Sequence, residues 1–361
     1  PSLPMLEITD IPVAGYECVR RAVDPARGLH AIIAVHNTVL GRQKHGPARA
    51  LGGMRLWPFP SLDAAKTDVL RLARGMTYKA ACAGLDLGGG KSVIIGKPED
   101  KTPQMFEAMG EFVESFGGSY ITAEDVNTKV EDMAHVAKKT RHVAGLAGKS
   151  GNPSPKTAWG CFLGLQATLK EAFGSPEVRG KIVAIEGAGS VGSVYADLIA
   201  KAGGKIVVAD IRQEAAQRVA AATGGRVVSP IEIHSVACDV YAPCALGGSL
   251  NDETIPELKC RAVVGAANNQ LLEDRHGEML LQRGILYAPD YVVNAAGLIN
   301  VYNELDPRGF DEQRSLQMAE KIRTNLAEIF SIGREEGIST ARAADRYAER
   351  RIDAARAAAA R

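Results

Sequence analysis

Two lysines, Lys79 and Lys91, stand twelve residues apart in "TYKAACAGLDLGGGKSVIIG", residues 77–96, around three consecutive glycines and one acid, Asp86. A lysine set among small apolar residues gives up its proton more easily than one in water, because burial and a neighbouring cation both disfavour the charged amine. A neutral amine is a general base. The pattern suggests a division of labour in which Lys79, at a helix end, stays a cation and holds a substrate carboxylate. Lys91, emerging from bare backbone beside that cation, becomes the base. The residues alone leave open a plainer reading, two surface lysines flanking a turn. A phosphate loop of the GxxxxGK[ST] kind fails here. Gly84 lies one residue too far before Gly90, and "SVIIG" after Lys91 reads as a strand, without the helix N-terminus that would hold phosphate.

A second pattern is "KIVAIEGAGSVGSVYADLIAKAGGKIVVAD", which carries Gly187, Ala188, Gly189, Ser190, Val191 and Gly192 between an apolar strand and a helix. Gly187 permits the tight turn, Gly189 lets backbone approach a pyrophosphate, and Gly192 lets helix and strand pack closely. Asp210, at the end of the next strand, is the acid that would accept the adenosine ribose hydroxyls and repel a 2′-phosphate. The expected cofactor is therefore NAD, although Arg212 stands near enough to tolerate NADP. The plain alternative is a glycine-rich turn with a surface aspartate.

The elements that must position these groups are legible in outline. "LHAIIAVHNTVL" (29–40) reads as a strand or strand pair. "SLDAAKTDVLRLARGM" reads as an amphipathic helix started by Ser61. "KSVIIG" and "GSYIT" read as buried strands around a helix over roughly 104–116. "GKSGNPSPKTAWG" (148–160) is a Gly/Pro/Ser-rich border, with "SGNPSP" the expected hinge of a domain closure. Beyond it "KIVAIEG", "KIVVAD", "GRVVS", "CDVYAP", "RAVVGA" and "GILYAP" are short apolar runs of the kind that build a parallel sheet covered on both faces. From about residue 311 the chain reads as helical. The expectation is a two-domain α/β protein with a cleft between the domains. An α/β substrate domain spans 1–149, with C-terminal helices 332–361 returning to it. A Rossmann-type, doubly wound dinucleotide domain spans 150–331.

With 361 residues, 46% of them hydrophobic and 24% charged, the chain is long enough for two cores. A net charge of +1 gives no basic field for nucleic acid or an anionic membrane. No apolar run reaches the ~20 residues of a membrane helix, and the first residues lack a signal-peptide pattern. Six cysteines without a CxxC pair imply reduced thiols and a cytoplasmic protein, and the seven histidines show no metal-ligand spacing. A 2-hydroxy acid dehydrogenase would want a histidine–acid pair, and no histidine sits in such a motif. A non-catalytic dinucleotide sensor would have no use for the lysines.

The segments "ALGGMR", "RLARGMTYKAACAGLDLGGGKSVIIG", "SYITAEDVNT", "SGNPSPKTAWG", "GAGSVG", "CDVYAPCALGG", "GAANNQLLEDRHG" and "YAPDYVVNAAGLINVYNE" resemble the glutamate/leucine/phenylalanine/valine dehydrogenase family, most nearly its leucine dehydrogenase branch, over roughly residues 30–350. The resemblance implies reversible oxidative deamination of an L-amino acid by NAD, giving a 2-oxo acid, ammonia and NADH. It implies that Lys91 activates water, that Lys79 binds the substrate carboxylate, and that Asp125 of "TAED" meets the substrate amino group and relays protons. Arg55 and Gly53 would line the polar end of the substrate, and Asn268 would touch both substrate and cofactor. Thr157 would lie near the nicotinamide amide, and Ala245, Leu246 and Ile211 would flank the cofactor. Taken alone, Asp125 and Asn268 leave open a plainer role in capping or loop hydrogen bonding.

By the same resemblance Leu51, Ala123, Leu298 and Val301 set side-chain specificity. All are aliphatic, so a glutamate side chain finds no cation and an apolar substrate is expected. Leucine, isoleucine and valine are favoured, with phenylalanine or tryptophan as the alternative, because one methylene is worth only ~1–3 kcal/mol of discrimination. Leu298 is larger than the valine usual in the leucine branch. Met54 replaces a common threonine, Ala296 replaces the second glycine of "NAGG", and Lys156 stands where a neutral residue is typical. A homo-oligomer, dimer or octamer, is implied as well.

Overall fold

The computed structural model describes residues 6–42, 47–146 and 152–359. Within it the chain divides into two compact units, one of residues 1–151, 301–310 and 349–361, the other of 152–300 and 311–348. The return to the first unit thus involves 301–310 and 349–361 rather than the whole of 332–361. The helical segment up to Ala348 stays with the second unit because Ile322, Leu326, Ile329 and Ala343 are buried there. The expected hinge falls partly on 147–151, outside the described residues.

The first unit contains β1 (Glu7–Asp10), β2 (Cys18–Asp24), β3 (Leu29–Asn37), β4 (Ala50–Trp57), α1 (Leu62–Cys82), β5 (Gly88–Ile95), α2 (Pro103–Glu114), β6 (Tyr120–Glu124) and α3 (Val130–Val136). Its sheet has the order β1-β2-β3-β5-β4-β6, with β4 parallel to both β5 and β6 and the other pairs antiparallel. One face packs Ile33, Met54, Ile94 and Tyr120 on Phe106, Met109 and Phe112 of α2. The other packs Ile32, Ala34 and Val93 on Ala65, Val69 and Ala73 of α1. The spacing of those α1 residues is the helical stripe expected from the sequence. Ser61 caps the helix, its hydroxyl accepting the Ala64 N–H at 3.1 Å. Three strands carry no clear sequence signal: β1, the charged β2, and β4, whose "GGMR" interrupts the β pattern.

The second unit runs through α4 (Ser154–Phe173), β7 (Ile182–Glu186), α5 (Ser190–Lys201), β8 (Lys205–Ala209), α6 (Gln213–Thr223), β9 (Arg226–Val227), β10 (Val240–Pro243), β11 (Ala262–Val263), α7 (Arg275–Gln282), β12 (Leu286–Tyr287) and α8 (Asp290–Val293). Then come α9 (Ala296–Tyr302), α10 (Glu312–Ala319), α11 (Lys321–Glu336) and α12 (Thr340–Ala359). Every strand pair is parallel, in the order β12-β11-β10-β7-β8-β9. That is the doubly wound arrangement, whose crevice opens where the order reverses, between β7 and β10. Among the described residues no helix is long and apolar enough to cross a membrane.

Candidate active site

The glycines before Lys91 are strand rather than turn. Gly89 lies in β5, and a Cβ there would stand 2.0 Å from the Thr77 amide of α1. Only bare backbone lets the last turns of α1, which carry Lys79, settle directly on the strand that carries Lys91. The helix end is held from α12. Arg351 donates to the carbonyls of Ala80, Ala81 and Leu85 at 3.3, 3.2 and 2.8 Å and pairs with Asp86 at 2.9 Å. A cation on these terminal carbonyls also complements the helix dipole. This accounts for the lone acid between the lysines.

Register puts the remaining groups on one face of the sheet. Gly53 of β4 pairs with Ala123 of β6, and the β4–β5 register places it level with Lys91. Alternation then sends Leu51 and Arg55 to the same side as Gly53, and Asp125 to the same side as Ala123. Lys91 is 6% exposed, and its Nζ lies 3.0 Å from Asp125 Oδ2. The same oxygen accepts from Arg55 Nε at 3.1 Å, and Arg55 Nη1 reaches Asp68 of α1 at 2.9 Å. Glycine at 53 is required, since a Cβ would come within 2.8 Å of the Asp125 Cβ.

Asp125 is aimed by the turn that follows β6. Its N–H donates to Thr128 Oγ1 at 2.9 Å, and that hydroxyl donates to the Met54 carbonyl at 2.8 Å. Asn127 takes φ 60°, a conformation asparagine tolerates, and ties its amide to Leu56 O at 3.0 Å. Burial pushes the Lys91 pKa below the ordinary lysine value and Arg55 pushes it the same way, against the attraction of Asp125. Arg55, which the sequence placed only at the polar end of the substrate, is thus a cation that acts on Lys91 as well. For Asp125 burial works upward, but Lys91 and Arg55 together hold the carboxyl below its usual range. The arrangement is an ionised carboxylate beside an amine that sheds its proton readily. Lys79 itself is half-buried in the last turn of α1.

In the second unit the loop between β7 and α5 has the geometry of a dinucleotide cradle. Gly187 has φ 104°, a Cβ on Gly192 would lie 2.1 Å from the Gly187 carbonyl, and Gly189 faces open space. Ala188, Ser190 and Val191 complete the turn into α5, an N-terminus with no side-chain cap. Asp210 Oδ2 accepts the Ala188 N–H at 2.7 Å and Oδ1 the Arg212 N–H at 2.8 Å. Burial raises its pKa, but these hydrogen bonds outweigh burial, so the carboxyl lies below its usual range. A Cβ on Gly187 would stand 2.8 Å from the Ala245 amide, which places the segment after β10 against the loop. Ile211 and Leu246 are 89% and 83% exposed, apolar side chains left in the open beside the loop. An anionic group fits the turn and a flat apolar ring fits those side chains.

Asn268 Oδ1 accepts from Asn294 Nδ2 at 2.8 Å, and Thr157 Oγ1 donates to the Pro153 carbonyl at 3.1 Å. Thr157 also abuts Gly297, where a Cβ would lie 2.7 Å from its Oγ1. Ala296 and Leu298 are buried in α9, and the extra methyl of Ala296 is accommodated by Gly160 of α4. Leu298 belongs to the second unit and half-buried Val301 to the first. Lys156 pairs with Glu312.

Two family models match the chain: the Glu/Leu/Phe/Val dehydrogenase dimerisation domain over residues 17–142, and the Glutamate/Leucine/Phenylalanine/Valine dehydrogenase domain over 208–361. Leucine dehydrogenase of Bacillus cereus is 49% identical across 93% of this chain and 91% of its own length. Phenylalanine dehydrogenase of Thermoactinomyces intermedius is 44% identical across 94% of this chain and 92% of its own. The crystal structure of L-tryptophan dehydrogenase from Nostoc punctiforme superposes with a TM-score of 0.83 at 41% identity, covering 95% of this chain and 97% of that one. The chain belongs to the Glu/Leu/Phe/Val dehydrogenase family. It is an amino acid dehydrogenase, an oxidoreductase that depends on a dinucleotide.

In this dehydrogenase the sequence reading brought Lys91, Asp125, Arg55, Gly53, Leu51 and Ala123 forward, and they share one face of the first sheet. It missed Asp68 and the Asn127–Thr128 turn. Asp68 is one residue from buried Val69 on the α1 stripe, with its side chain only 18% exposed. An acid so close to the buried face of a helix is the signal that would have singled it out.

Proposed function

We propose that this dehydrogenase carries out the reversible, NAD-dependent oxidative deamination of an apolar L-amino acid, with leucine, isoleucine and valine preferred. The observation that carries the reading is the buried Lys91–Asp125 contact, an amine biased toward its free form against a carboxylate held ionised. The residues that would hold the cofactor are the 187–192 loop, Asp210, Ile211, Thr157, Ala245, Leu246 and Asn268. Asp210 is suited to ribose hydroxyls and disfavours a 2′-phosphate, which supports NAD over NADP. A bound dinucleotide supplies the two-electron oxidant for the substrate Cα–H bond.

The chain's own groups do the rest. Lys79 neutralises the substrate carboxylate, and Asp125 accepts hydrogen bonds from the substrate amino group. Lys91 as free amine removes a proton from water as that water adds to the substrate iminium carbon. The resulting ammonium returns a proton to the departing nitrogen, which leaves as ammonia, and the amine so freed takes the remaining hydroxyl proton as the carbonyl of the 2-oxo acid forms. The 3.0 Å contact to Asp125 offers a path for proton exchange during these steps. Leu51, Ala123, Leu298 and Val301, the positions that the resemblance assigns to the substrate side chain, are all aliphatic. Likeness to the tryptophan and phenylalanine enzymes supports a second reading, the same chemistry on an aromatic amino acid. Assembly as a homo-oligomer belongs to the proposal and is supported by the match of residues 17–142 to a dimerisation domain.

The test is NADH formation from each of the twenty amino acids at alkaline pH, and NADH consumption with the matching 2-oxo acid and ammonia. Branched aliphatic substrates should lead; no activity with any amino acid overturns the reading. Lys91→Ala should lower kcat by about 10³-fold with NAD binding retained, and a retained kcat removes Lys91 from the mechanism.

A further inference from the structure

Asp68 has no part in the mechanism above, yet the site residues converge on it. Lys91 Nζ, Asp125 Oδ2, Arg55 and Asp68 form an alternating chain of charges with contacts of 3.0, 3.1 and 2.9 Å. Arg71 closes the chain at its outer end, 3.0 Å from Asp68 Oδ1. Asp68 and Arg55 are 18% and 20% exposed in their side chains, whereas Arg71 is 56% exposed. The contacts therefore run from a buried amine to the surface of α1.

We propose that Asp68 is a positioning residue for this reaction: from α1 it holds Arg55 at one nitrogen, so that Arg55 meets Asp125 with the other and leaves that carboxylate within reach of Lys91. The inference rests on the functional reading above. An arginine has five donors in a rigid fork and takes a carboxylate in bidentate fashion through two parallel N–H groups of a single edge when it is free to align with it. Here Nη1 is committed to Asp68 and Nε to Asp125. Without Asp68 the guanidinium loses its anchor on α1 and is free to shift until one edge, Nε with Nη2, takes both oxygens of Asp125. Lys91 shares Oδ2 with Arg55 and would lose the contest.

Charge points the same way. With Lys91 as free amine, Asp125, Arg55, Asp68 and Arg71 balance to zero. Removing the Asp68 charge leaves a net cation around Lys91, which expels its proton more readily. Asp68 indeed acts on Lys91 in the direction that keeps its proton. Asp125 after β6, Arg55 from β4 and Asp68 from α1 all act on Lys91. Beta strand 3 presents Ala34 in register, and α1 also carries Lys79.

The experiment uses the full chain with NAD and the best amino acid from the survey above, comparing wild type, Asp68→Asn and Asp68→Glu in kcat, KM and the pH profile of kcat/KM. Asp68→Asn should lose about 10- to 100-fold in kcat, with a smaller change in amino-acid KM, and its acid limb should move to lower pH. Asp68→Glu keeps the charge, so its acid limb should stay at the wild-type pH with a milder loss in kcat. A wild-type kcat and acid limb in Asp68→Asn overturn the proposal, as does a change confined to KM. Should Asp68→Asn fail to fold, Asp68→Glu decides, and a displaced acid limb in that variant overturns the proposal. If wild type itself forms no NADH from any amino acid, the functional reading falls first; if wild type is active and the variants match it, only the role of Asp68 falls.

Discussion

Gly53→Ala adds one methyl group and no charge, yet it strikes the centre of the proposed site. The new Cβ would stand 2.7 Å from the Glu124 carbonyl oxygen and 2.8 Å from the Asp125 Cβ. Ordinary carbon contacts lie at about 3.5–4.0 Å, so the overlap is roughly 0.7 Å or more. Neither neighbour is the tip of a flexible side chain, so the end of β6 must retreat, carrying Asp125 with it. The Lys91–Asp125 contact starts at 3.0 Å, and a retreat of this size takes it beyond ordinary hydrogen-bond range. Overpacking costs about 1–3 kcal/mol, partly offset by the ~0.5–1 kcal/mol gained when alanine replaces glycine in a strand. The variant should therefore fold with a Tm lowered by a few degrees. The misplaced carboxylate should lower kcat by about 10²-fold, with NAD affinity unchanged. Steady-state NADH absorbance, a thermal melt and NAD titration measure the three quantities. A folded Gly53→Ala enzyme with kcat within a factor of about two of wild type would refute the claim that this glycine makes room for the Lys91–Asp125 contact.

Lys79→Ser should chiefly raise the KM for the amino acid, by about 10²-fold for a lost charge-assisted contact; an unchanged KM contradicts its role as carboxylate anchor. For the deamination direction kcat/KM should rise with pH through a Lys91 titration set below the ordinary lysine pKa by burial. Because Asp125 acts to raise that pKa, Asp125→Asn should move the acid limb to lower pH while reducing kcat, and a limb moving upward refutes the sign. The unfolded chain binds the Lys91 proton more tightly than the folded one, so this residue's contribution makes stability rise with pH between its folded value and 10.5. Removing the amine in Lys91→Met should flatten that rise in pH-dependent melts. Asp210→Ala should relax discrimination against NADP, measured as the ratio of kcat/KM for the two dinucleotides; an unchanged ratio removes Asp210 from cofactor choice.

The sequence by itself determined the elements whose cause is local. Ser61 and a stripe at helical spacing make α1. Continuous apolar runs separated by crossovers make the parallel sheet of the second unit, and glycines between strand and helix make the 187–192 turn. Tertiary structure alone decided what those elements bring together. The "GGGKS" glycines read as bare backbone beside a lysine, and became strand because α1 lies on them. Beta strand 4 was hidden because its glycines and arginine answer to neighbours on β5, β6 and α1 instead of to a strand preference. That Arg55 presses on Lys91 also depended on register, since Gly53, level with Lys91 and paired with Ala123, brings Arg55 and Asp125 to one face. Periodicity is written along the chain, but a charge feels whatever lies within a few ångströms across it, and that is set only when the strands pair.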